Sequence, residues 1–195
     1  MIPTDHEIKN LHRSCAPNDD AFTLIYTHCL IVCDIVDQIL SAKPELEIDR
    51  QIVRSGALLH DIGAYSLYTD HGFDNAQYLT HGIRGEVILT RAGIDPRIAR
   101  IASHHTGVGI TRSEIRERNL PLPDADFLAN TIEEELVMYA DKFHSKKPVF
   151  NLFSSYLKQT ATYDPENAAR FRAMRDRFGE PDIMQLANKY GHPIK

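Results

Sequence analysis

Ten histidines in a chain of 195 residues matter less for their number than for their positions. His28 interrupts an apolar run that carries Phe22, Ile25, Cys29, Val32, Val36 and Ile39 at three- and four-residue steps. His60 and Asp61 follow directly on Ala57-Leu58-Leu59, His81 precedes Ile83 and Val87, and His104-His105 close a segment with Ile98, Ile101 and Ala102. Asp141 shares a segment with Val137 and Met138. A carboxylate among such neighbours costs heavily in desolvation unless it is paired or coordinated. Imidazoles and carboxylates converging inside a helical bundle form a mixed nitrogen and oxygen ligand set suited to iron, manganese, cobalt, nickel or zinc. A carboxylate such as Asp61 can also bridge two ions, and a pair of ions about 3.5 to 4 Å apart can activate water while neutralising a phosphate.

Each of these histidines, taken singly, reads as a hydrogen-bonded core residue, and Asp141 equally as one half of a buried ion pair. The set read together points to metal. Helical periodicity directs His105 inward with Ile98, Ile101 and Ala102, and His104 stays in the candidate ligand set as a second-metal or outer residue. His144, one turn beyond Asp141, is expected to neighbour the site without ligating, and His6, His12, His71 and His192 are expected in solvent. Arg84 follows His81 by one helical turn and is the candidate for a phosphate contact; the alternative is a surface ion pair with Glu86. Lys142 and Arg112 are further cations to consider. Gly107-Val108-Gly109 matches neither nucleotide-binding fingerprint and reads as a flexible lid.

Helices must carry these residues, because runs of strict two-residue alternation are scarce. The pattern predicts an all-α bundle. A first core helix follows Asp19 and Asp20, and a second runs from Arg50 to His60 behind an Asp49 cap. Tyr68 to Asn75 is expected as a loop and Thr80 as the cap of a third helix. Asp95-Pro96 opens a fourth, and residues 107–130 read as loops around a short charged helix. Thr131 to Glu134 has capping-box spacing and opens a helix through Asp141 and His144. Beyond Pro148 two amphipathic helices are expected.

The length suits one domain of ordinary size, with an N-terminal helical segment (1–18), a main domain (19–147) and a C-terminal helical extension (148–195) packed on it. Twenty-two basic against 27 acidic residues leave a net charge of -5, which argues against strong nucleic-acid binding through a basic face. The longest uncharged apolar-rich stretch, Ala21 to Cys33, falls short of the roughly 20 residues that span a bilayer. The N-terminus lacks the basic start and apolar run of a signal peptide, and the three cysteines suit a reducing compartment, so a cytoplasmic location is expected. Cys29 and Cys33 read as buried small apolar residues, not metal ligands.

The ordered set of His28, then Leu58-Leu59-His60-Asp61-Ile62-Gly63, then His81, His105 and Asp141 resembles the HD-domain metal-dependent phosphohydrolases, in the variant whose signature continues Ile-Gly. The resemblance covers about residues 20–145. It implies an all-α bundle, one or two divalent metal ions, and hydrolysis of a phosphoester or phosphoanhydride, commonly in a nucleotide. By the resemblance His28, His60, Asp61 and Asp141 form the core metal set. His81 and His105 match the extra histidines of a dinuclear branch that includes a symmetrical diadenosine tetraphosphate hydrolase. The glycine-tyrosine-proline motif of the cyclic-di-GMP phosphodiesterases is missing after His104-His105.

The function expected is therefore a metal-dependent phosphohydrolase acting on a nucleotide or other small phosphorylated metabolite, with Asp61 and Arg84 as its catalytic side chains and with a homodimer left open. Two alternatives stand beside it: a di-iron oxygenase of the same superfamily, and a metal-stabilised binding module without turnover.

Overall fold

The computed structural model describes residues 1–195 and is helical almost throughout. Thr4 caps α1 (Asp5–Cys15) through a complete capping box with Glu7, and Asn18 caps the long α2 (Asp19–Ala42). Asp49 accepts from two backbone amides at the start of α3 (Arg50–Leu59). A 3-10 turn (Ile62–Leu67) leads into a two-stranded antiparallel hairpin, β1 (Tyr68–Thr69) and β2 (Gly72–Phe73). A second 3-10 turn (Asn75–Thr80) then leads into α4 (His81–Arg91). After α5 (Pro96–His104) come α6 (Arg112–Arg118), α7 (Ile132–Asp141) and a second hairpin of β3 (His144–Ser145) and β4 (Val149–Phe150). Three helices close the chain: α8 (Phe153–Ala161), α9 (Pro165–Phe178) and α10 (Ile183–Tyr190).

The main core is a contiguous cluster centred on α2, which packs against α3 and α7, while α4 lies along α5; Ile110, Ile115 and Phe127 form a small separate cluster beside α6. Cys29 and Cys33 are buried within it as free thiols. By length and composition alone α2 could cross a membrane, with a mean hydropathy of 1.5, because the helix runs past the uncharged stretch and on through Asp34 and Asp37. Its apolar surface is spent on protein neighbours instead.

Two glycines set the close approaches that bring the chemistry together. A Cβ on Gly63 would lie 2.0 Å from the carbonyl oxygen of His81, and one on Gly82 would lie 2.8 Å from that of Ala102. Only glycine lets the turn after Asp61 dock on the start of α4, and α4 on the end of α5.

Several expectations are corrected. The Tyr68 to Asn75 stretch is a hairpin, not a loop, since the Asp70-His71-Gly72 turn lets its flanks pair. Thr80 does not cap α4: its hydroxyl donates to the Gln77 carbonyl and accepts from Arg84. At α7 Thr131 caps, but Glu134 turns back to the amide of Asn130. That helix stops at Asp141, so His144 arrives on β3. The C-terminal part holds three helices where two were expected, Gly179 and Pro181 breaking the last apolar pattern.

Candidate metal centre

Helix ends place the histidines. His60 follows α3, His81 opens α4 and His105 follows α5, and each Nδ1 meets the carbonyl oxygen three residues upstream. The distances are 2.7 Å to Ala57, 2.5 Å to Tyr78 and 2.7 Å to Ala102. A carbonyl only accepts, so each Nδ1 carries the proton and each Nε2 presents a lone pair inward. This is the outer hydrogen bond that fixes a metal-binding imidazole.

Those lone pairs converge. His60 Nε2 lies 3.2 Å from His28 Nε2, and His81 Nε2 lies 3.0 Å from His105 Nε2. Asp61 stands between the two pairs with its oxygens divided. Oδ2 is 3.2 Å from His28 and 3.5 Å from His60, whereas Oδ1 is 3.2 Å from His81 and 3.4 Å from His105. Asp141 Oδ1 joins the first pair, 3.0 Å from His28 and 3.5 Å from His60. Asp61 is fully buried, and the Lys146 ammonium, 2.6 Å from Oδ2, is the one cationic side chain against its oxygens. Lone pairs of imidazole nitrogens and carboxylate oxygens at these separations repel one another unless positive charge sits among them. The Lys146 and Lys142 ammoniums reach only the Oδ2 atoms of Asp61 and Asp141, so the remaining donor set fits divalent metal.

The electrostatics agree. Burial opposes the charge of Asp61, yet the Lys146 ammonium and His60 outweigh it and hold the carboxyl well below its ordinary range. Asp141 is likewise held low, by Lys142, His28 and His60 against the cost of burial. Burial would neutralise His60, but Asp61 prevails and raises it: an excess of negative charge draws a proton to the nitrogen that a metal ion would take. His105 is pushed down to about 3, chiefly by burial.

The sequence-based candidates divide cleanly. His28, His60, Asp61, His81, His105 and Asp141 come together; His104 and Arg84 do not. His104 Nε2 accepts from the Arg100 guanidinium at 2.8 Å and Nδ1 meets Ser103 Oγ at 2.6 Å. A nitrogen facing a guanidinium cannot also face a metal ion. Arg84 spends its guanidinium on Thr80 Oγ1 at 2.8 Å and the Ser66 carbonyl at 3.1 Å, away from the cluster and without an ion pair to Glu86. Arg112 is exposed and does not line the cleft over the cluster.

Lys142 is buried, its Nζ 2.5 Å from Asp141 Oδ2 and 3.0 Å from the His105 carbonyl, and so ties the two halves of the cluster. Lys146 was missed. Its Nζ stands 2.6 Å from Asp61 Oδ2 and 2.6 Å from the Tyr78 hydroxyl, and Asp61 raises its pKa against burial. It lies on a tight hairpin where no helical or strand period predicts a direction. Two expected surface histidines are not in solvent. His12 is buried between Tyr65 and Leu58, and His192 is half-buried against His144.

A cleft of about 660 Å³ opens over the cluster. Tyr68, Phe73 and Tyr78 line it together with Lys146, Lys147 and Lys195. A wider groove of about 930 Å³, between the end of α2 and the start of α10, contains no histidine.

The HD-domain family model matches residues 25–146, which contain every residue of the cluster. The chain belongs to the HD-domain family. This HD-domain protein is 38% identical over 136 residues to an uncharacterised protein of Methanocaldococcus jannaschii, a match covering 69% of both chains. It is 36% identical over 135 residues to a tRNA (cytidine(56)-2'-O)-methyltransferase of Picrophilus torridus, covering 69% of this chain and 36% of that one. The chain thus spans about a third of the methyltransferase, whose name describes the whole of that longer protein. Among solved structures, the HD domain of the L. monocytogenes phosphodiesterase PgpH in complex with cyclic-di-AMP superposes with a TM-score of 0.56 at 17% identity. The superposition covers 97% of this chain and 100% of that one, a likeness of fold.

Proposed function

We propose that this HD-domain protein is a metal-dependent phosphohydrolase acting on a nucleotide or a comparably small phosphorylated metabolite. The observation that carries this reading is the divided carboxylate of Asp61, one oxygen toward His28 and His60, the other toward His81 and His105. In a dinuclear reading, His28, His60, Asp61 and Asp141 would hold one divalent ion, and His81, His105 and the second oxygen of Asp61 another. Bound metal supplies Lewis acidity toward phosphoryl oxygens and lowers the pKa of water.

The protein's own groups do the rest. The Nδ1-to-carbonyl bonds hold the proton of three neutral imidazoles on Nδ1, so that Nε2 is the atom presented to a metal ion. Lys142 holds Asp141 so that Oδ1 faces the histidines. Lys146, on the cleft wall, offers an ammonium to a phosphate entering beside Asp61, and Lys147 and Lys195 extend the positive lining. Tyr68 and Phe73 present aromatic surface on which a base can stack, a contact worth about 1 to 3 kcal/mol. The lysines favour an anionic substrate; oxygen consumption with added organic substrate would instead mark the di-iron oxygenase alternative.

The test is elemental analysis of the purified protein followed by phosphate release from a panel of nucleotides with manganese, cobalt, nickel, iron and zinc. Release with any of them supports the reading. Stoichiometric metal with no release across the panel would replace it with the binding-module reading.

A further inference from the structure

A line of imidazoles leaves the cluster in the direction of the C-terminal segment. His28 Nδ1 lies 2.9 Å from His144 Nδ1, and His144 Nε2 lies 3.1 Å from His192 Nδ1. The rings lie edge to edge and nearly coplanar, with centroids 5.2 Å and 5.3 Å apart and interplanar angles of 25° and 20°, so that the facing nitrogens point at one another. Phe150 closes on His144 from the side, its centroid 4.8 Å away. The outer ring is held by the chain itself: the amide of Phe150 donates to the Pro193 carbonyl, and the amide of Lys195 donates to the Phe150 carbonyl.

One proton per ring fixes the order. His28 is the one imidazole of the cluster with no backbone carbonyl behind it. Its Nε2 faces Asp141, Asp61 and His60, and to ligate there it must carry its proton on Nδ1. That proton needs an acceptor, and the atom it meets is His144 Nδ1. His144 must then carry its own proton on Nε2 and give it to His192 Nδ1. Each ring passes its donor outward and turns its acceptor inward.

We infer that His144 and His192 are positioning residues for the metal centre, holding His28 in the tautomer whose Nε2 is free to ligate. The C-terminal tail beyond residue 146, outside the family match, thereby completes the orientation of a ligand on α2. The inference rests on the metal-centre reading, and its test separates the two.

The measurement is cobalt(II) affinity by titration calorimetry, together with the visible absorption spectrum of the cobalt-loaded protein. His144→Phe keeps a ring between His28, Phe150 and His192 but removes the acceptor; its affinity should fall roughly 10- to 100-fold and the cobalt bands should shift. His144→Asn, whose carbonyl oxygen reaches the place of Nδ1, should recover much of that loss. A merely packing role predicts the reverse, with Phe tolerated and Asn not. Parent affinity and spectrum in His144→Phe would overturn the inference while leaving the metal centre intact. A parent protein that takes up no cobalt would overturn both. If His144→Phe does not fold, His192→Phe decides on the half-buried outer ring: several-fold weaker binding supports the chain of donors, and unchanged binding refutes it.

Discussion

His12 and His60 are both completely buried imidazoles, and they do opposite things. His12 is finished: Nε2 donates to the Leu58 carbonyl at 2.8 Å and Nδ1 meets the Tyr65 hydroxyl at 2.9 Å. Burial above all pushes it down to about 4, so it stays neutral and uncharged neighbours suffice. His60 is unfinished. One nitrogen is satisfied by Ala57, and the other is aimed at His28 Nε2 and two carboxylates. A buried histidine with both nitrogens answered builds the fold; one with a nitrogen pointed at another bare nitrogen awaits a cation. His104 belongs with His12, since Ser103 and Arg100 answer both of its nitrogens.

Removing the shared carboxylate should break the contrast hardest. Asp61→Ala is expected to lose at least one ion by elemental analysis and to lower kcat/KM by more than about 100-fold, beyond what outer-sphere changes cost. His12→Ala should retain its metal and pay instead in stability, about 2 to 4 kcal/mol by denaturant unfolding, for a small cavity and an unanswered Leu58 carbonyl. Metal loss in His12→Ala, or full retention in Asp61→Ala, would erase the distinction between the two regions.

Metal itself should act on one region alone. A divalent ion at about 100 times its Kd adds about 2.7 kcal/mol, which for a chain of this length raises Tm by roughly 5 to 10 °C. Differential scanning with and without chelator should show that rise in the parent and in His104→Ala, and a clearly smaller one in Asp61→Ala. A His104→Ala protein that no longer responds to metal would restore His104 to the ligand set.

Acid should reveal His12 by the opposite sign from a histidine held in an ion pair, whose raised pKa would lose stability as pH rises. Its folded pKa of about 4 lies below the unfolded value near 6.5, so as pH falls the unfolded chain takes the proton first. The contribution is whole above about pH 6.5, shrinks below it, and stops changing once pH passes about 4. Between pH 7 and 5, in chelator, His12 should account for about 2 kcal/mol of lost stability. His105 shifts in the same direction, so the measurement is the difference between parent and His12→Gln; equal losses in both would remove His12 from the account.

The sequence carried the bundle and the inner cluster because both obey the helical period. The caps at Asp49 and Asp95 follow from carboxylates that accept the free amides of a first turn, and the apolar face of α2 and the inward turn of His105 ahead of His104 are consequences of 3.6 residues per turn. His12 was unreadable for a related reason: α1 is polar on most of its surface, and nothing in its spacing announces that Tyr65 and Leu58 will cover that ring. Lys146, Tyr78 and His192 reach the site from hairpins, a 3-10 turn and the tail after α10, where long-range packing alone sets direction. Gly63 was legible as part of a motif but not as a contact, since the carbonyl of His81 that forbids a Cβ there is known only once α4 is docked.

The smallest effect belongs to Arg84, where spacing and structure part. One turn after His81 is the right position for a phosphate ligand, yet the guanidinium is held by Thr80 Oγ1 and the Ser66 carbonyl, pinning the 62–67 turn to the start of α4. A side chain so engaged should matter to stability and not to rate. Arg84→Ala is expected to cost about 1 kcal/mol in denaturant unfolding for the two lost bonds, with metal content unchanged and kcat/KM within about twofold of the parent. Lys146→Met supplies the contrast, because that ammonium already lies against Asp61 and the cleft; losing a charge-assisted contact to phosphate of about 1.5 to 3 kcal/mol should lower kcat/KM by roughly 10- to 150-fold. Were Arg84→Ala to show the larger loss and Lys146→Met the smaller, the guanidinium would have to leave Thr80 and Ser66 when substrate binds, and the assignment of cations to the cleft would be inverted.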